Sequence, residues 1–313
     1  MINVFYYDKY VKRGHLSSTL LENKHRVWVD LYDPSRDELK HVFNLFNLDN
    51  KIIEDYKDKT IRPKIREYKD YTFAMIYSIQ LDKNTLNSKE VIFVIGRNYL
   101  ISIHRDNLQL ANSLIHNMER LNYALKSGVD YLFYELTDQV VDSYFPVLET
   151  IDDELEDLEN NALKNDRTDV LRRLFKIKSQ FLRLRNVVYP QREALSLICR
   201  NEYKHLSKDV RELFREIDEH MILITDLMEV HRETTSNIME LHLSVTSNKL
   251  NENIKVLTII ATMFMPITFI ASLYGMNLKL PIDEHRYAFF IIVGIMLIIF
   301  CSMLFYFNRK KLI

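Results

Sequence analysis

The 313-residue chain is short of the residues that staple or punctuate small folds, with two cysteines, five glycines and six prolines. Cys199 sits in a charged segment and Cys301 in an apolar one, which excludes a disulfide framework. Net charge is also scarce: 42 Lys and Arg against 43 Asp and Glu leave −1, which argues against nucleic acid as a partner held by bulk charge. The start, MINVFYYDKYVKRGH, lacks the basic flank, apolar stretch and small-residue cleavage site of a signal peptide, so the N-terminal mass is expected in the cytosol. No GxxxxGK[ST], HExxH, CxxC or Ser/His/Asp motif is visible, and "DKTI" at Asp58 lacks the context of a phosphorylation site. An enzyme or an ATP-driven pump is therefore not expected.

Charge is missing altogether from two long runs. Val256 to Tyr274 has 19 residues and Tyr287 to Phe307 has 21, each near the roughly 20 that a helix needs to cross a bilayer. Lys249 and Lys255 precede the first run and Arg309, Lys310 and Lys311 follow the second, while the nine-residue link Leu278 to Arg286 mixes Lys279 and Arg286 with Asp283 and Glu284. The positive-inside rule then places both ends in the cytoplasm and the link outside, in a multi-pass protein of the cell (inner) membrane.

The rest reads as an α+β cytosolic domain joined to a long helical stalk. Val27–Leu31 and Tyr71–Leu81 are strand candidates, as are Val91–Ile95 and Tyr99–His104, with Gly96, Arg97 and Asn98 as the hairpin turn between the last two. Asp33, Pro34 and Ser35 end the first strand, and Asp37–Phe46 carries helical spacing through Leu39, Val42, Phe43 and Phe46. From about Leu108 the pattern is helical, broken at Gly128, Pro146 and Pro190; from there no glycine appears until Gly275, and Pro266 is the only proline between. An acidic stretch, Glu149–Glu159, precedes a basic one, Arg167–Arg185, as the solvated faces of an antiparallel helix pair.

Tyr203, Val210, Ile217, Ile224, His231, Ile238 and Val245 stand seven apart, with Leu206, Leu213, His220, Leu227, Thr234 and Leu241 in the complementary position. This heptad seam predicts one helix from about Glu202 through the bilayer, roughly 105 Å at 1.5 Å per residue, covered by further copies around an axis. His220, His231 and His242 are eleven apart on one stripe and cannot chelate one metal within one helix. Glu212, Glu219, Asp226, Glu233 and Glu240 form an acidic line that is either a solvated face or a surface attracting divalent cations. The divisions expected are 1–110 (α/β), 111–200 (charged helices), 201–255 (stalk), 256–277 (first span), 278–286 (external loop), 287–307 (second span) and 308–313 (basic tail).

At the outer end of the first span stands Tyr274-Gly275-Met276-Asn277. A glycine there lets the helix end or turn where a side chain would obstruct, and Asn277 offers amide groups that hydrogen-bond the water shell of a small dication. Direct chelation would require stripping water that Mg²⁺ gives up reluctantly. Below the mouth, Asn251, Ile254, Leu257, Ala261, Met265, Thr268 and Ser272 recur at a mean spacing of 3.5 on one face. Asn251, Thr268 and Ser272 suit hydrated ions, whereas Ile254, Leu257 and Met265 suit a dewetted constriction.

The Gly-Met-Asn triplet between two uncharged runs, the segment KVLTIIATMFMPITFIASLYGMN, the basic tail and EDYKDKTIRPKIREY near residue 60 together resemble the CorA family of divalent-cation channels. The resemblance covers the full length. It implies a funnel-shaped homopentamer, with the first span lining the pore and Gly275, Met276 and Asn277 forming the selectivity filter. Asn251 would be the inner polar ring, with Ile254 and Leu257 beside the hydrophobic gate, Ile254 standing where the family often has Met. It further implies that cytosolic Mg²⁺ holds the channel shut by binding between neighbouring domains. The matching acids are Glu54 and Asp55 in IIEDYKDKTIRPK and Glu216, Asp218 and Glu219 in FREIDEH, firmest for Asp55 and Glu216, where Glu216 replaces the family's usual Asp.

The expected function is Mg²⁺ influx down the electrochemical gradient, with Co²⁺ or Ni²⁺ also passing. The partners are then other copies of the chain, the lipid bilayer and the cations. A Zn²⁺ transporter of the same superfamily is the alternative within transport, although such members often lack the Met that Met276 supplies. A membrane-anchored structural or signalling protein is the alternative of another class, and it leaves the polar and small residues of the first-span stripe unexplained.

Overall fold

A computed structural model describes residues 1–16, 25–49, 51–57, 62–82, 85–105, 109–164, 169–276 and 287–310. The chain divides into two compact units, Met1–Asn161 with Asp166–Ile238, and Ala162–Asn165 with Met239–Ile313.

The first unit is built on a seven-stranded sheet of order β2-β1-β3-β7-β6-β5-β4. Its strands are β1 (Ile2–Tyr7), β2 (Val11–Gly14), β3 (Arg26–Tyr32), β4 (Lys64–Glu67), β5 (Tyr71–Asp82), β6 (Thr85–Gly96) and β7 (Tyr99–His104). Neighbours pair antiparallel except β3 and β7, which run parallel from Val27 opposite Tyr99 to Tyr32 opposite His104. The expected hairpin turn at Gly96–Asn98 is present. Its glycine is required by close approach, because a Cβ there would lie 2.1 Å from the Tyr99 ring.

Helix α1 (Arg36–Phe46) starts where the sequence signal stands: Ser35 Oγ accepts the Glu38 N–H at 3.2 Å and the Glu38 carboxylate accepts the Ser35 N–H at 2.8 Å. This capping box satisfies two backbone donors at once and holds the Glu38 carboxyl below its usual range. The apolar face of α1 and the buried Ile52 and Ile53 of α2 (Lys51–Lys57) share a core cluster with Val29, Met75, Val94 and Ile101 of the sheet.

Further helices follow: α3 (Gln109–His116), α4 (Met118–Ser127), α5 (Val129–Asp142), α6 (Tyr144–Lys164) and α7 (Val170–Arg200). The Phe133 ring of α5 meets Phe93 of β6 at 5.3 Å and Phe214 of the next helix at 5.3 Å, so aromatic packing links sheet, α5 and stalk. A buried polar chain crosses the parallel strand pair. Trp28 Nε1 donates to Ser102 Oγ at 3.0 Å, Ser102 donates to Asp30 Oδ1 at 2.7 Å, and His104 Nε2 stands 2.9 Å from the same oxygen.

Helix α8 (Lys208–Tyr274) has 67 residues, and α9 (Ala288–Arg309) has 22. Two expectations need correction. Pro190 does not break α7 but lies inside it, whereas the break near Pro146 is present: α5 ends at Asp142 and Pro146 lies in the first turn of α6, where a missing N–H costs little. The heptad seam is not left to other copies either: Val210, Ile217, Ile224, His231 and Ile238 are all buried within the chain. The second buried row is Phe214, Met221, Met228 and Thr235, not the row one residue earlier, where Leu213, His220, Leu227 and Thr234 are half-covered. Both rows are rich in large apolar residues, and the helices α5, α6 and α7 decide which is covered.

Candidate functional site: an apolar helix face and an acidic cluster

Both α8 and α9 contain stretches long and apolar enough to cross a membrane. In this unit the Phe264 ring of α8 meets Phe300 of α9 edge-on at 6.3 Å. The most covered residues on this stretch of α8 are Ile259 and Met263, each 7% exposed. All seven residues of the expected pore stripe, Asn251, Ile254, Leu257, Ala261, Met265, Thr268 and Ser272, are exposed in the single chain. At about 100° per residue the stripe falls on the opposite side of the helix from Ile259 and Met263.

The stripe's polar members differ in what they offer. Thr268 donates its hydroxyl proton to the Phe264 and Met265 carbonyls, both at 3.0 Å, which leaves the oxygen lone pairs directed outward as acceptors. Such an acceptor suits the hydrogens of cation-bound water. Helix α8 stops at Tyr274, and Gly275 closes it through an N–H to the Ala271 carbonyl at 2.9 Å. Its φ is not left-handed, so the argument from turn freedom gives way to one from space: a Cβ on Gly275 would sit 3.2 Å from the Ala271 oxygen. Met276 is exposed. Asn277 and the rest of the link to Arg286 lie outside the described residues.

A second constellation lies in the first unit. Asp138 and Asp142 are one turn apart on α5, and His220 of α8 faces them, with Nδ1 at 3.9 Å from Asp138 Oδ1 and 3.6 Å from Asp142 Oδ1. One ligand atom from each of the three lies within 4.8 Å of the others, a spacing that can hold a metal ion. Burial first, then the neighbouring Asp142 carboxylate, push the Asp138 carboxyl up to about 6. The Phe145 ring stands edge-on to the His220 ring. One turn before His220, Glu216 accepts the Tyr134 hydroxyl at 3.2 Å. Two carboxylates suit hard Mg²⁺, and an imidazole beside them suits Co²⁺ or Ni²⁺.

The sequence profile of the CorA-like Mg²⁺ transporter proteins matches residues 23–310, more than nine-tenths of the chain. The chain belongs to the CorA family. It is 33% identical over 293 residues to the cobalt/magnesium transport protein CorA of Thermotoga maritima, covering 91% of this chain and 83% of that protein. To the cobalt/magnesium transport protein CorA of Methanocaldococcus jannaschii it is 24% identical over 306 residues, covering 97% and 96%. The solved structure of the complete CorA magnesium transporter from Methanocaldococcus jannaschii superposes with a TM-score of 0.87 at 22% identity, covering 100% of this chain and 99% of that one. The α+β domain, the long stalk helix and the two apolar C-terminal helices follow the CorA topology.

In this CorA-family chain the acids named from sequence separate. Glu216 lies one turn from His220 on α8, and Glu219 is exposed. Asp218 faces elsewhere, toward Cys199 of α7, whose thiol is pushed up by burial and then by that carboxylate. Glu54 and Asp55 belong to α2, but their side chains lie outside the described structure. Asp138 and Asp142 were not legible as ligands from sequence. Their only local signal is the i, i+4 spacing of two acids on a largely apolar helix, and it takes α8 to bring His220 opposite them. The remaining histidines of the stripe behave as packing: His231 is stacked on Phe181 at 6.2 Å with Nδ1 3.2 Å from Asp152 Oδ1, and His242 is buried. Glu212, Asp226, Glu233 and Glu240 are exposed or half-exposed.

Proposed function

We propose that this CorA-family protein conducts Mg²⁺, and with it Co²⁺ and Ni²⁺, across the cell membrane into the cytoplasm as an assembly of several copies. The pentamer implied by the family is the reading adopted, because two spans per chain cannot enclose a path. The observation that carries the proposal is the orientation of the apolar part of α8, whose stripe from Asn251 to Ser272 is exposed on the side opposite Ile259 and Met263. A lipid-facing helix has no use for Asn251, Thr268 and Ser272 in line, whereas a water-filled pore does. Gly275, Met276 and Asn277 form the filter at the outer mouth, and Ile254, Leu257 and Met265 close the path by dewetting.

The name of the Thermotoga relative, a cobalt/magnesium transport protein, supports Mg²⁺ and Co²⁺. The driving force is the membrane potential, about 2.3 kcal/mol per charge per 100 mV and twice that for a dication. Both termini are cytoplasmic, as the flanking basic residues require. The Asp138–Asp142–His220 cluster, with Glu216 one turn away and with Glu54 and Asp55 of a neighbouring copy, binds the cytosolic dication that favours the closed state. Like charges held together repel until a dication neutralises them.

Flux into proteoliposomes loaded with ion-sensitive dyes, compared for Mg²⁺, Co²⁺, Ni²⁺ and Zn²⁺, tests the function. Potential-dependent Mg²⁺ entry is expected. Entry of Zn²⁺ without Mg²⁺ would replace this reading with the zinc alternative, and no entry of any ion would overturn it.

A further inference from the structure

A cleft of about 640 Å³ opens in the first unit, lined by residues other than those of the acidic cluster. Five segments meet there: the start of β3, the β4–β5 turn at Asp70, the β6–β7 turn, the α4–α5 junction and the residues that lead into α8. They bring three permanent cations to one wall system, Arg26, Arg97 and Lys204, with His205 beside them. None of the three cations forms an ion pair among the described residues. Arg26 spends its guanidinium on the Leu125 and Lys126 carbonyls at the end of α4, and Lys204 Nζ reaches only the Lys69 carbonyl at 3.3 Å.

The backbone adds to the positive character of the cleft. Gly128 begins the 14-residue α5 with no side-chain cap bond, and the positive end of the helix, with the acidic Asp130 in its first turn, lines the cleft. Two acids are present, Asp70 and Asp130. Asp130 is engaged, accepting the Ser207 N–H at 3.0 Å, and it ties the α5 start to the α8 start. Burial first, and then the Lys204 charge, hold the His205 imidazole below its ordinary basicity, while Asp70 and Glu67, which accepts the Lys204 N–H at 2.8 Å, oppose that effect.

Cations of this kind, gathered in a concave site beside a helix start and without an ion-pair partner among the described residues, match the charge of phosphate. The volume falls within the roughly 300–1,000 Å³ of small-molecule sites and exceeds what a bare phosphate fills. We propose that this cleft binds a phosphate-bearing small molecule of nucleotide size, with Arg97 and Lys204 on the phosphate groups and the α5 N-terminus completing the cradle. The site is separate from ion conduction, and neither reading depends on the other.

The test uses the full chain in detergent and titrates inorganic phosphate, ATP and adenosine by calorimetry. Amide exchange of Val129–Tyr131 is followed in parallel. ATP is expected to bind at least tenfold more tightly than phosphate, adenosine is expected not to bind, and the three amides are expected to gain protection with phosphate or ATP. Arg97→Glu with Lys204→Glu should weaken ATP binding at least tenfold. Lys178→Glu with Arg185→Glu, the same charge change on exposed α7 positions, should leave it within twofold. Arg97→Ala, a milder change in a surface turn, serves if the double reversal does not fold and should also weaken binding.

Three results would overturn the site: no binding of phosphate or ATP at millimolar concentration, adenosine binding as tightly as ATP, or equal losses in the two charge-reversed pairs. Binding of inorganic phosphate alone, lost on Arg97→Ala, would keep the anion cradle and reject the nucleotide-sized occupant.

Discussion

Met263 and Met265 are two residues apart on α8 and stand on opposite sides of it: Met263 is 7% exposed and Met265 69%. The apolar stretch of α8 therefore has one side packed within its own chain and another that no described residue covers. The first prediction follows from that difference. Leu257→Asn, on the uncovered stripe, is expected to ease wetting of the constriction and raise basal flux, while Met263→Asn should destabilise the helix pair without opening the path. Stopped-flow Mg²⁺ entry and thermal stability in detergent separate the two, and unchanged flux in Leu257→Asn moves the constriction to Met265.

Asn277→Ala is expected to abolish or sharply reduce Mg²⁺ uptake while the assembly still forms. In the proposed pore, the Asn277 amides of several copies dock hydrated ions at the Gly275-Met276-Asn277 mouth. Uptake at the wild-type rate in properly assembled variant protein would remove Asn277 from the filter.

The acidic cluster predicts a shift in cation sensing. Asp138→Asn or His220→Ala should raise the Mg²⁺ or Co²⁺ concentration needed for protease protection several-fold, with His220→Ala affecting Co²⁺ more than Mg²⁺ because imidazole is the softer ligand. Replacing Asp55 and Glu216 together by Lys should abolish Mg²⁺-dependent closure. Retention of the wild-type inhibition curve would exclude that pair as the sensor.

Stability should fall on acidification through His231. Burial holds this imidazole below the ordinary value of 6.5, and the Asp152 carboxylate opposes that effect only in part. The unfolded chain then binds the proton more readily than the folded one, so the contribution is intact above about pH 6.5 and is lost as pH falls below it. His231→Gln is expected to flatten part of the decline in melting temperature between pH 7 and 5.5. A decline as steep as that of the wild type would place the acid sensitivity on other groups.

Asp30 accepts the Ser102 hydroxyl and faces His104 at 2.9 Å while only 2% exposed. Asp30→Ala should cost roughly 3–5 kcal/mol, the range for breaking one side of a buried pair. Asp30→Asn, which keeps an acceptor for Ser102, should cost less. Chemical unfolding of both variants gives the comparison.

Much of this protein is legible from its sequence because the signals are local. The uncharged runs, the turn Asp33-Pro34-Ser35 before α1, the turn at Gly96–Asn98 and the Gly275-Met276-Asn277 motif are each read within a few residues. The 3.5-residue spacing from Asn251 to Ser272 likewise places those residues on one face, because helical geometry alone sets that alignment.

What needed the tertiary structure was every choice between local equals. α8 carries two adjacent rows of large apolar residues, and only packing against α5, α6 and α7 selected Phe214, Met221 and Met228 over Leu213 and Leu227. Pro190 reads as a breaker, yet tertiary packing holds α7 helical around it. The parallel pairing of β3 with β7 joins segments more than 70 residues apart, and the Asp30–Ser102–His104 chain exists only through it. His220 meets Asp138 and Asp142 across 78 or more residues of sequence, because the fold lays α8 against α5. Periodicity fixes which side chains share a face, since that is set by backbone geometry within a few turns. Which face is buried, and which distant side chains meet there, is decided only when the helices and strands compete for the same core.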